Sequence, residues 1–226
     1  MLSFLLLLNT GCTPEKTTET AEPQPKPVLV DVLLLDAIQG DAMGNVTLTS
    51  TLDSQTTDNT GTATILVEEE TNITIEAAAG GYPPHHLELA SGRINYDVVS
   101  LMASSTASVQ IYGLLSPPLI PDESKGIVIV ALDNPDLSPA VGAKASISVE
   151  SDDSFVLTGI SAQYGNEVLP SGGGFVAIPN VVPGEATISV ESPEGSTCIH
   201  HVAGETEQAT IDINAGTVHV VFFICQ

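Results

Sequence analysis

Residues 28–36 read Val-Leu-Val-Asp-Val-Leu-Leu-Leu-Asp, and residues 129–133 read Ile-Val-Ala-Leu-Asp. Val32-Leu33-Leu34-Leu35-Asp36 lies over Ile129-Val130-Ala131-Leu132-Asp133 at an offset of 97 residues. The same offset sets Asn45-Val46-Thr47-Leu48 over Gly142-Ala143-Lys144-Ala145. Farther along, Gly61 falls over Gly174, Ile65 over Ile178 and Thr74-Ile75 over Thr187-Ile188, now at an offset of 113. Two constant offsets in chain order predict one unit present twice. The 16-residue difference between them predicts an extra segment in the second copy, close to residues 152–167.

The unit is made of strands. Val46-Thr47-Leu48-Thr49-Ser50-Thr51-Leu52 alternates with period two, and Ala63-Thr64-Ile65-Leu66-Val67 and Asn72-Ile73-Thr74-Ile75-Glu76-Ala77 follow it. No stretch sustains a 3.6-residue period with caps. Branched Val, Ile and Thr fit a pleated, half-buried surface better than a helix. The fold class is therefore all-β, read as two tandem antiparallel β-sandwich domains at 28–115 and 125–226. Each has the usual size of a two-sheet sandwich. Residues 116–124 contain Pro117, Pro118 and Pro121, which donate no ladder hydrogen bonds, and read as a stiff linker. Aromatics are only 4% with no Trp, so Val, Ile, Leu and Ala must fill the cores. Thr217-Val218-His219-Val220-Val221-Phe222-Phe223-Ile224-Cys225 is the most apolar stretch of the body and is expected to be a central strand.

Within the first copy, a strand ending in Asp leads to Gly44-Asn45-Val46-Thr47-Leu48 and then to Thr57-Asp58-Asn59-Thr60-Gly61. Asp58 and Asn59 suit a side-chain-bonded tight turn, and Gly61 suits the positive φ that closes it. With Gly80-Gly81-Tyr82 after the next strand, this series resembles the carboxypeptidase regulatory-like family. The resemblance implies a transthyretin-like (prealbumin-like) sandwich of about seven strands that serves as a spacer, docking platform or binding module. The second copy keeps Asn180-Val181-Val182-Pro183-Gly184. It replaces the Asp-rich turn by Ser171-Gly172-Gly173-Gly174 and has no Gly-Tyr element after Val190.

Ahead of the strands stands Met1-Leu2-Ser3-Phe4-Leu5-Leu6-Leu7-Leu8-Asn9-Thr10-Gly11-Cys12. Its apolar run falls far short of the roughly 20 residues of a membrane-spanning helix and matches a short secretory signal, residues 1–11. Leu8-Asn9-Thr10-Gly11-Cys12 resembles a bacterial lipoprotein box, implying cleavage before a lipid-bearing Cys12. Asn9 departs from that pattern, and no basic residue precedes the run. An ordinary secretory signal is the other reading. Residues 12–27 hold Pro14, Pro23, Pro25 and Pro27 among Thr, Glu and Lys and cannot bury enough surface to offset ordering. They read as a disordered tether, with or without lipid.

If Cys12 is acylated, Cys198 and Cys225 remain as a pair. A disulfide between them suits an oxidising compartment; ligation of a metal by two cysteines so far apart is the alternative. The chain carries 28 acidic and 5 basic side chains, a formal charge of -23. Such a surface repels nucleic acid and anionic headgroups, which makes both poor candidates as partners, and no nucleic acid is expected.

The sequence has no phosphate-binding glycine loop, no Gly-x-Ser-x-Gly elbow and no His-Glu-x-x-His helix, so no enzyme is expected. Asp133, Asp136, Asp152 and Asp153 offer hard oxygen ligands in loops and are the calcium candidates; ordinary turns use the same residues. His85-His86 and His200-His201 occupy near-equivalent places in the two copies. Neighbours on a strand point to opposite faces, so a transition-metal site would need His219 or a nearby acid in addition. Otherwise these histidines belong to strand edges or loops. Tyr164, in the extra segment, is the candidate for contact with a carbohydrate.

Together these readings predict a non-catalytic lipoprotein of the bacterial cell envelope, at the outer membrane or cell surface. It would be held to the membrane through Cys12 and act as a structural or interaction module toward an envelope protein or glycan. A carbohydrate-binding or calcium-assisted adhesion module is the alternative. No cofactor is expected beyond that calcium.

Overall fold

The computed structural model describes residues 27–226 except 38, 70–71, 91–95, 159–160 and 201–206. The signal segment, Cys12 and most of the tether lie outside the described residues, as does His201. In chain order the first half forms β1 (Pro27–Asp36), β2 (Thr47–Thr49), β3 (Ser54–Thr56), β4 (Thr62–Glu68), β5 (Asn72–Ala78), β6 (His85–Ala90), β7 (Tyr96–Met102) and α1 (Ser105–Gly113). The second half forms β8 (Gly126–Asp133), β9 (Lys144–Ile147), β10 (Phe155–Thr158), β11 (Ser161–Tyr164), β12 (Gly172–Val181), β13 (Gly184–Glu191), β14 (Cys198–His200), β15 (Gln208–Ile213) and β16 (Val218–Cys225). The fold is all-β apart from that one short helix.

Strand pairing follows the same plan in both halves. β1 lies between β4, antiparallel, and β7, parallel; β8 lies between β12, antiparallel, and β16, parallel. The facing sheets are β2-β5-β6 and β9-β13-β15, antiparallel throughout. Residues added in the second half form the hairpin β10-β11, which extends its sheet beyond β12. It falls within the segment where the two offsets diverge.

The halves are not separate in their hydrogen bonding. β16 pairs with β8 on one side and, in parallel, with β6 of the first half on the other. Where the β6 pairing stops at Val221↔Glu88, β14 takes over the same edge with Phe223↔His200 and Cys225↔Cys198. One long sheet results, with the order β11-β10-β12-β8-β16-β6-β5-β2-β3. The sheet β4-β1-β7 covers part of one face and β15-β13-β9 part of the other. β16 alternates between the two cores. Val218, Val220 and Phe222 pack with Val30, Leu34, Ile75 and Leu87, and Val221, Phe223 and Cys225 with Val130, Ile178 and Ile188.

Two expectations need correction. The sheets are mixed rather than purely antiparallel, because β7 and β16 return by crossovers rather than by hairpins. And α1 exists where no helix was expected. Ser104 caps it by accepting from the Ala107 N–H at 3.1 Å, and Ala107, Ile111 and Tyr112 form its buried side. Nine residues rich in Ser and Thr are too few to display a helical period. The helix is held by packing: Tyr112 meets Phe155 edge to face, with ring centroids 5.8 Å apart.

The turn before β4 matches its sequence reading. Asp58 Oδ1 accepts from the backbone N–H groups of Thr60, at 2.8 Å, and Thr62, at 3.1 Å. The Thr60 hydroxyl leads the donors that pull the Asp58 carboxyl down to about 2. Gly61 has φ +75°, and a Cβ there would stand 2.6 Å from the Leu34 carbonyl oxygen of β1.

Cys198 and Cys225 are bridged across a sequence separation of 27 residues. Closing a loop of that length constrains the unfolded chain by about 3–4 kcal/mol. Reduction should therefore lower the unfolding free energy by that amount, read as a lower urea midpoint in the presence of reductant. Gly61→Ala should destabilise the fold by more than about 1 kcal/mol, through both the backbone conformation and the clash with β1, read in the same titration.

Candidate functional site

Because each covering sheet is only three strands wide, each leaves part of the long sheet uncovered. Two concavities result, one on each face, and they differ in chemistry.

The polar one, a cavity of about 380 Å³, lies between edge strand β15 and the faces of β5 and β6. On β6 the period of two directs Leu87 and Leu89 into the first core and leaves His86 and Glu88 on the opposite face. The parallel register sets His219 beside His86 and Val221 beside Glu88. Glu88 is 7% exposed and His219 fully buried. His219 Nδ1 lies 2.9 Å from Glu88 Oε1, and the Thr74 hydroxyl donates to Glu88 Oε2 at 2.6 Å. The Asn214 backbone N–H donates to His219 Nε2 at 3.1 Å. That bond fixes the tautomer: Nε2 accepts, so Nδ1 carries the proton and donates it to Glu88.

His86 Nδ1 is 3.9 Å from Glu88 Oε1, and its ring stands edge-on to that of His219 at 5.0 Å. The ligating atoms of His86, Glu88 and His219 all fall within 4.8 Å of one another. His200 lines the same cavity. Burial lowers the imidazole pKa of both His86 and His200, so both favour the neutral form that ligates metals. Residues able to hold a metal are therefore gathered here from β6, β14 and β16, all strands of the shared sheet.

His85 is turned the other way and plays a different part. It is fully buried, with Nδ1 2.8 Å from the Pro83 carbonyl oxygen and Nε2 accepting from the Ala103 N–H at 3.3 Å. Burial pushes its pKa down to about 4. It joins β6 to the segment between β7 and α1.

The second concavity, about 430 Å³, lies between β7, α1 and the outer face of β8, β10 and β12. Its floor includes Ile127, Ile129, Phe155, Leu157 and Phe175. Asp97, Ser100, Ser108 and Asp133 interrupt the apolar lining, and two of them stand out. Ser100 Oγ is buried with no hydrogen-bond partner among the described residues, and the Asp133 carboxyl is raised to about 7 by burial. Gly174 makes room for that carboxyl, since a Cβ there would stand 2.1 Å from Asp133 Oδ1.

The residues singled out from sequence are dispersed. Asp133 faces the apolar groove. Asp136 is exposed and accepts from the Ser138 N–H and hydroxyl in its own turn. Asp152 and Asp153 do share a shallow surface pocket with Tyr164, where Asp152 Oδ2 accepts from Asn180 Nδ2 at 2.8 Å. Among the described residues none of these four acids belongs to a group of three closely spaced ligating side chains. Tyr164 donates to the Pro117 carbonyl at 2.8 Å and packs beside Phe155 and Tyr112, so it holds the proline segment against the second half. Glu88 was missed in the sequence. The signal was there in His86-x-Glu88, whose spacing of two puts both side chains on one face of a strand.

No protein-family model matches the chain, and no curated protein matches it. Among solved structures, it is similar to the TIE protein of Bacillus anthracis at 11% identity and a TM-score of 0.26, over 88% of this chain and 34% of that one. The chain thus spans about a third of that protein's length. It is similar to the minor pilin of Streptococcus agalactiae at 12% identity and a TM-score of 0.31, over 88% of this chain and 95% of that one. The shaft pilin SpaA of Lactobacillus rhamnosus GG matches at 10% identity and a TM-score of 0.25, over 89% and 98% of the two chains.

Asp133 gives a pH test of the groove. Its pKa is near 3.9 in an unfolded chain and about 7 when folded. Between these values the folded state holds a proton that the unfolded chain has released, so stability falls as pH rises from about 4 to about 7 and then levels. Melting temperatures across that window should decline in the wild type relative to Asp133→Asn, which has nothing to titrate there.

Proposed function

We propose that this protein is a non-catalytic module of the bacterial cell envelope. A lipid on Cys12 anchors it, residues 12–27 hold it off the membrane, and its folded body has a structural or interaction role at the outer membrane or cell surface. One observation carries this reading. The tether enters the body through β1, which is hydrogen-bonded along both edges: seven residue pairs join it to β4 and seven to β7. A pull on the tether runs along that strand, so it loads both ladders in shear and no single row of bonds opens first. An anchored module that must keep its shape under tension is well served by such an entry. The acidic surface agrees with it, since a charge of -23 keeps the body away from anionic headgroups and leaves attachment to the lipid. Recognition of an envelope protein or glycan then falls to the exposed loops and to strand edges such as β3 and β11.

The test is metabolic labelling with an alkyne fatty acid in a bacterial host, followed by membrane fractionation. Wild-type protein should take up label and sediment with membranes, whereas Cys12→Ala should lose the label and move to the soluble fraction. Unlabelled wild type, or a labelled Cys12→Ala variant, would overturn the reading.

A further inference from the structure

The cavity beside β15 carries a feature that a purely structural role for its histidines leaves unexplained. His200 is 4% exposed, yet its Nε2 has no hydrogen-bond partner among the described residues. Buried polar atoms are nearly always paired with protein, water or an ion, so an unpaired one that lines a cavity asks for an occupant. The other side chains around it narrow the chemistry. His86 contributes an imidazole at the half-buried rim and Glu88 a carboxylate nine-tenths buried. Asp212 adds a second carboxylate to the lining.

We infer that His86, Glu88 and His200 form a binding site for a transition-metal dication of the zinc type, with His219 as the residue that positions Glu88. Imidazole nitrogen combined with one carboxylate suits zinc and its neighbours in the first row, whereas calcium and magnesium require a shell of oxygens. His219 is closer to Glu88 than either of the other histidines, but both of its ring nitrogens are already engaged, one by Glu88 and one by the Asn214 N–H. It cannot ligate without giving up the Asn214 bond. Its geometry is that of an outer partner which orients a ligating carboxylate and fixes which oxygen faces the ion. Thr74 does the same for the second oxygen.

His200 lies outside the 4.8 Å group formed by His86, Glu88 and His219. Ligation through His200 therefore requires its Nε2 to move toward the Glu88 carboxylate. Strands β14 and β6 share one edge of β16, so the ion would join the halves at the point where their backbone pairing changes hands. Water or a further side chain completes the shell, and Asp212 in the lining is one that could do so.

The experiment uses the full chain, without a histidine tag and stripped by chelator, titrated with Co²⁺ as a visible probe and then with Zn²⁺ as competitor. The expected result is a saturable set of d–d bands at one equivalent of Co²⁺, bleached by Zn²⁺. His86→Asn and His200→Ala should each weaken Co²⁺ binding by more than about tenfold. His219→Gln should weaken it by about 10- to 100-fold, the range for a lost outer partner, without changing the number of equivalents bound. Circular dichroism and melting of each metal-free variant check that it folds; His86, half-buried at the rim, is the change least able to disturb the core. Absence of bands in the wild type overturns the proposal. So does wild-type affinity in a folded His86→Asn or His200→Ala variant, which would place the ion on surface acids.

Discussion

A strand buried on both faces has no polar side to spare, and β16 meets that condition by serving two cores at once. Its alternate residues feed opposite interiors, and its two edges are satisfied by β8 on one side and by β6 and then β14 on the other. This explains why Val218 to Cys225 is apolar at every position but His219. Such a run is what a strand covered on both faces requires, and it is unusual in a simple two-layer sandwich, where one face looks at solvent. The rest of the architecture follows. The two halves share a sheet because β16 belongs to the second by topology and to the first by packing.

The concavities are a geometric consequence of that sharing. A separate sandwich matches each sheet against one of similar width. Here a long common sheet is faced by two narrow ones, offset to opposite sides, so each leaves an overhang. On the first-core face the overhang is roofed by α1 and is mostly apolar, with Ser100 and Asp133 among its few polar side chains. On the other face it is lined by β5, β6, β14 and β15, and its polar groups form a connected network from Thr74 at the surface through buried Glu88 and His219 to the Asn214 backbone. A network of that kind fixes register, since a one-residue slip of β16 against β6 would take His219 out of reach of Glu88 and turn it toward the first core.

Much of this was legible in the sequence, for identifiable reasons. Period-two alternation and β-branched residues marked the strands. The turn at Asp58 to Gly61 was readable because its chemistry is local: one carboxylate, two nearby N–H groups and one glycine. Cys198 and Cys225 could be paired from the cysteine count and the compartment implied by the opening residues. The prominence of the final strand was also visible, as a run of apolar residues. What sequence could not give was the identity of its neighbours. Pairing between β16 and β6 joins residues more than a hundred positions apart, and no local pattern states it. The Glu88–His219 contact depends wholly on that pairing, so it stayed hidden although both residues were in view. Helix α1 was missed for the opposite reason, being too short to carry a pattern of its own.

The order in which the strands are made has a consequence for biogenesis. β6 is synthesised 131 residues before the His219 that Glu88 must meet. Until β16 is made, the edge and the polar face of β6 therefore have no partner, and the first half cannot close its sheet as it emerges. Folding of the body is tied to the arrival of β16, which makes the nascent first half a natural client for holding chaperones and places the decisive step after the last strand has been made rather than before it.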